Sequence, residues 1–95
     1  MNAKISVIIP TTVPDRIEML KNALLSIDQQ EFDLKTVEVV VVSNYELSLP
    51  SNYKFILKVI RTSQKKLGSK LVLGSKASSA DILVFLEDDD TFPSL

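Results

Sequence analysis

Ala80-Asp81-Ile82-Leu83-Val84-Phe85-Leu86-Glu87-Asp88-Asp89-Asp90 is the stretch whose reading decides the fold of this 95-residue chain. Asp81 to Leu86 is a short apolar run that reads as a strand, and it passes directly into four adjacent carboxylates. Such groups repel one another unless a counter-charge lies close. A divalent cation relieves that repulsion and can bridge carboxylates to phosphate oxygens. Strand geometry sends Glu87 and Asp89 to one side and Asp88 to the other, so one side can hold metal while the other meets a ribose hydroxyl. A solvated acidic loop at a strand end is the plain alternative, because short motifs recur by chance.

Upstream of this strand, the segment from Gly68-Ser69 to about Ser79 has Leu67, Leu71 and Ala77 on one side of a second helix. Gly74 weakens that helix by about 1 kcal/mol relative to alanine unless close packing on a sheet requires it. Phe55 to Ile60 reads as a strand nearer a sheet edge, and Val37 to Val42 as a strand buried on both faces, ending at Ser43-Asn44. Ile17, Leu20, Leu24 and Ile27 form the apolar stripe of a first helix, with Asp15 as N-cap and Glu18 three residues later. Ile5 to Ile9 is another buried strand, stopped by Pro10. The order βαββαβ predicts an α/β fold, a Rossmann-like open, mostly parallel sheet of about four strands with helical crossovers. Ligands of such sheets bind beyond the carboxyl ends of the strands. Three polar strand ends converge there: Thr11-Thr12, Ser43-Asn44 and Glu87 to Asp90.

Composition narrows the chemistry. Apolar residues make up 45% of the chain and charged residues 24%, enough for a core and ordinary for a globular domain. Eleven basic and twelve acidic residues give a net charge of −1, which argues against nucleic acid as a partner. The absence of cysteine and histidine excludes disulfides, thiolate sites and histidine-based catalysis. Any metal is therefore a hard, oxygen-bound cation, Mg²⁺ or Mn²⁺. No apolar run is long enough for a signal peptide or membrane span, so the expected location is cytoplasmic.

Four segments in this order resemble the N-terminal, nucleotide-sugar-binding half of the inverting, GT-A-fold glycosyltransferases of family 2. Ile5-Ser6-Val7-Ile8-Ile9-Pro10-Thr11 resembles that family's opening strand. Leu20-Lys21-Asn22-Ala23-Leu24-Leu25-Ser26-Ile27 with Gln30 resembles its first helix, and Val39-Val40-Val41-Val42 its second strand. Ala80 to Asp90 resembles the strand carrying its DxD motif. The resemblance implies a donor-binding region that takes a nucleotide-diphosphate sugar through a divalent metal for inverting transfer.

Carried over residue by residue, the resemblance implies nucleotide contacts at Thr11, Thr12, Asn44, Lys70 and Asp88, and metal ligation at Asp89 and Glu87. The departures are specific. Threonine stands at Thr12, where the family often has an aromatic residue able to stack on uracil. Ser43 and Asn44 replace an aspartate pair, though Asn44 can still donate to and accept from a pyrimidine edge. Leu71-Val72 replaces an Arg-Asn pair, which leaves Lys70 as the nearest cation, without arginine's bidentate fork. Glu87 stands in place of an aspartate and shifts its carboxylate by about one methylene. For Thr11, Thr12, Asn44 and Lys70 the alternative roles are to finish strand ends, form turns or stay solvated.

The family's acceptor half and general base lie after the DxD strand. Residues 1–95 are accordingly expected to be a single donor-binding domain, part of a longer enzyme or a shortened relative, with no catalytic residue of its own and no transfer activity. Glu87 to Thr91 superficially matches the DxDxT motif of haloacid-dehalogenase-type phosphatases, but that motif belongs on a first strand. A receiver domain needs acidic residues after its first strand, where this chain has Pro10-Thr11-Thr12. A non-catalytic half-domain that self-associates through an exposed sheet edge is the remaining alternative.

Overall fold

Two β-branched runs build the centre of the molecule, whose computed structural model describes residues 3–50 and 52–88. Strand β1 (Ile5–Thr11) pairs in parallel with strand β2 (Val37–Ser43), from Ile5 opposite Val37 to Thr11 opposite Ser43. Strand β3 (Ile56–Arg61) adds to β2 and strand β4 (Ile82–Phe85) to β1, giving an all-parallel sheet of order β3-β2-β1-β4. The chain thus steps outward from β1 to β3, then crosses back to β4. The direction of winding reverses between β1 and β4, where sheets of this kind open a crevice.

Alternation along the two central strands divides the core. Val7, Ile9, Val39 and Val41 face helix α1 (Ile17–Asp28) and pack with its Leu20, Leu24 and Ile27. Ile8, Val40 and Val42 face the opposite way, towards Leu71, Leu73 and Ala77 of helix α2 (Leu67–Ala77). A buried parallel strand must be apolar on both faces, which is why these runs are continuous rather than alternating.

Some local expectations change. Pro14–Arg16 forms a 3-10 turn, and α1 begins only at Ile17 with no side-chain cap, so Asp15 lies inside the turn and is not an N-cap. Pro14 sits in the first turn, where its fixed φ suits helical geometry and its missing N–H is no loss. Nor does Pro10 end β1. The Ile8 carbonyl accepts from Leu86 N on the β4 side and the Thr11 carbonyl from Asn44 N on the β2 side. By alternation the Pro10 nitrogen faces β4 beyond the last rung of their ladder, Ile8 opposite Phe85, so no sheet bond is lost. Leu67, placed on the packed side of α2, is 54% exposed; the helix buries Lys70 and Gly74.

Gly74 is a point of close approach. A Cβ there would overlap the Ile8 side chain and sit 3.2 Å from Val42 Cγ2. One polar group is also fixed inside the sheet. Glu38 on β2, 1% exposed, accepts from Ser6 Oγ (3.1 Å), Ser79 N (3.1 Å) and Ser79 Oγ (2.9 Å), and pairs with Lys58 Nζ at 3.0 Å. Burial works against its ionisation, but Lys58 and the three donors outweigh that, and its pKa lies below the ordinary glutamate value. Glu38 thereby ties the link after α2 to the sheet.

Candidate functional site

Thr11 closes β1, and Asp88 follows β4 across the crevice. They are 77 residues apart, the same offset that sets Ile5 opposite Ile82, so the pair prolongs the β1–β4 register past its last rung. Thr11 Oγ1 donates to Asp88 Oδ2 at 2.8 Å. The other oxygen, Oδ1, lies 2.8 Å from Arg16 Nη2. Only 6% of the Asp88 side chain is exposed, so both oxygens have exchanged water for protein donors.

Thr11 Oγ1 is also 2.9 Å from the Tyr45 hydroxyl. Threonine has one hydroxyl proton, already directed at a carboxylate that can only accept, so Tyr45 is the donor in this contact. Tyr45, Thr11 and Asp88 therefore form a polarised chain of hydrogen bonds. Ser43 holds the Tyr45 backbone in place: its Oγ donates to Tyr45 O (2.6 Å) and accepts from Tyr45 N (3.0 Å).

From the α2 side comes Lys70, 1% exposed, whose Nζ donates to Thr12 Oγ1 at 2.6 Å. Burial depresses the Lys70 pKa, and the negative charge of Asp88 partly restores it. Thr12 itself is exposed. The site thus gathers Thr11, Thr12, Lys70 and Asp88, four residues singled out from the sequence, at the point where the winding reverses.

Asn44 sits one strand away. Its Nδ2 donates to Thr62 O (2.9 Å) and Gln64 O (2.8 Å), so both amide protons tie the link after β3 to the end of β2. Glu87 is exposed and Asp88 buried, the opposite orientation that strand alternation requires. Asp89 and Asp90 lie outside the described residues. Among the described residues no group of three or more acidic side chains could hold a metal. The donor set at this strand end is carboxylate alone, which fits a hard cation rather than zinc or copper.

Two contributors escaped the sequence reading. Arg16 lies in a segment whose spacing suggested a helix cap, and nothing local marks its reach to a carboxylate far along the chain. Tyr45 follows a polar strand end, which was the one available hint.

The chain belongs to glycosyl transferase family 2, whose model matches residues 6–94. No curated protein sequence matches it significantly. Among solved structures it is similar to S. aureus TarS, at 26% identity and a TM-score of 0.78, over 93% of this chain and 17% of that one. It is likewise similar to TarS 1-349 in complex with UDP (26% identity, TM-score 0.78, 93% and 28% covered). The likeness to TarS 1-349 in complex with UDP-GlcNAc is 25% identity with a TM-score of 0.79, covering 93% and 27%. The fold is the Rossmann-like N-terminal part of a GT-A glycosyltransferase, and the chain spans under a third of those proteins. No described helix is long and apolar enough to cross a membrane.

Proposed function

We propose that residues 1–95 are the donor-binding domain of a family 2 glycosyltransferase and bind a nucleotide-diphosphate sugar in the crevice between β1 and β4. The observation that carries this reading is the buried Asp88, held by Thr11 at the switch point, with the buried ammonium of Lys70 beside Thr12. A buried lysine is tolerated where an anion compensates it, and a diphosphate is such an anion. The TarS complexes with UDP and UDP-GlcNAc support the ligand class. In this reading Thr11, Thr12 and Asn44 line the nucleoside side, and Lys70 and Asp88 the diphosphate and ribose side. Asp89 and Glu87 would hold Mg²⁺ or Mn²⁺, and the cation would supply positive charge to neutralise the departing diphosphate. In the same reading, residues 1–95 on their own bind donor without transferring sugar.

Calorimetric titration of UDP, GDP and CDP, each with and without Mn²⁺, tests this directly. Binding of one of them that strengthens with Mn²⁺, and loses that dependence in Asp89→Ala, is the expected result. No heat from any nucleotide would remove the donor-binding reading and leave the family and fold. One observation favours a second role. On β4, Ile82 is 57% and Phe85 53% exposed, an apolar edge suited to association. Oligomerisation without nucleotide affinity would favour that alternative.

A further inference from the structure

Arg16 pairs with Asp88 at 2.8 Å, and Lys70, which donates to Thr12, also feels the charge of that carboxylate, but the two cations are mounted differently. Lys70 is carried by α2 and is 1% exposed, so its ammonium has little freedom. Arg16 rides on the three-residue turn Pro14–Arg16, which buries none of its residues and has no side-chain cap, and 38% of its side chain is open to solvent. One cation is fixed and the other is held by a short exposed turn. Turning Arg16 away from Asp88 costs that ion pair, which a charge-assisted contact with phosphate replaces.

We infer that Arg16 is a diphosphate-binding residue that rests on Asp88 while the crevice is empty and turns to the phosphate groups when donor binds. The inference rests on the nucleotide-sugar reading above. A diphosphate presents two phosphoryl groups, and a single fixed ammonium answers one of them as a point charge. The planar guanidinium matches phosphate geometry bidentately, which a lysine cannot do. This chain has Leu71-Val72 early in α2, so no arginine stands beside Lys70 on that helix. Arg16 delivers a guanidinium to the same crevice from the β1 side, 2.8 Å from the carboxylate that faces it. Asp88 serves as its resting partner: it keeps the guanidinium within reach of the site and has Thr11 as a second donor when Arg16 leaves. The charge-assisted Thr11–Asp88 hydrogen bond and the positive charge of Lys70 remain to compensate the carboxylate when Arg16 departs.

The test compares UDP with uridine on the wild-type chain, Arg16→Gln and Arg16→Lys, using calorimetry for UDP and ligand-observed NMR for uridine. Arg16→Gln should weaken UDP by about tenfold or more and leave uridine within about twofold, with Arg16→Lys recovering part of the loss. A merely structural arginine would weaken both ligands alike. Equal loss for both, or no loss for either, overturns the assignment while the donor-binding reading stands. A wild-type chain that binds neither ligand overturns the donor-binding reading and this inference together. Should Arg16→Gln leave Asp88 uncompensated and unfold the chain, the UDP-to-uridine ratio is read for Arg16→Gln/Asp88→Asn against Asp88→Asn. An unchanged ratio there also overturns the assignment.

Discussion

At the level of single residues, the donor-binding proposal sets stability against ligand affinity at Lys70. Its depressed pKa means that the folded chain disfavours the ammonium that the donor-binding proposal assigns to the diphosphate. That penalty is fully present below the folded pKa and fades as pH rises towards the ordinary lysine value of 10.5. Lys70→Met is therefore expected to melt no lower than the wild type at neutral pH, while its UDP affinity falls about tenfold. Scanning calorimetry and titration on the same sample read both effects. Glu38 behaves in the opposite sense. Its pKa lies below 4.5, so its stabilisation is complete above that value and is lost as pH falls through the lower folded one. Glu38→Gln should cost about 1–3 kcal/mol at neutral pH, and the melting-temperature gap to wild type should narrow below about pH 4.5. A gap that widens in acid would contradict the proposed pairing. Thr11 and Asp88 were readable because they end apolar runs, where polar residues mark the mouth of an open sheet. Glu38 was not, because one acidic residue inside a valine run shows no trace of the Ser6, Lys58 and Ser79 groups that satisfy it.

Among the elements, α2 shows how local propensity yields to packing. Alanine at Gly74 would favour the helix by about 1 kcal/mol, yet its Cβ would overlap Ile8 and crowd Val42. Overpacking of this kind costs about 1–3 kcal/mol. The net expectation for Gly74→Ala is a melting point lower by several degrees, in spite of better helix propensity; an equal or higher one would mean that α2 can shift outward without loss. The strand order and crossovers were readable from alternating helical and β-branched stretches. The Pro14–Arg16 turn was not, because an Asp15-to-Glu18 spacing looks the same whether the cap forms or a 3-10 turn replaces it. The extension of β1 through Pro10 was hidden for a related reason. Whether a missing N–H matters depends on which neighbour it faces, and that is a property of the sheet.

For the molecule as a whole, the described sheet ends on β4 with apolar side chains in the open. Leu83 is 37% exposed, alongside Ile82 and Phe85. Sedimentation of residues 1–95 should show association that grows with concentration and is suppressed in Phe85→Lys, since a charge on an edge strand discourages pairing. A wild-type chain that stays monomeric at high concentration would show that this edge is protected. The family was legible because its four segments appear in order; the pairing of Arg16 with Asp88 and of Lys70 with Thr12 was not, because both join residues far apart in the chain. The 77-residue separation of Thr11 and Asp88 also has a kinetic meaning. Contacts between distant parts of a chain close late, because the loop entropy must be met before they contribute. During synthesis β1, α1, β2 and β3 can assemble while Asp88 is still inside the ribosome. The crevice between β1 and β4 therefore comes into existence only at the final crossover, and under the donor-binding proposal nucleotide added to a translating chain would act as a sensor of completed topology.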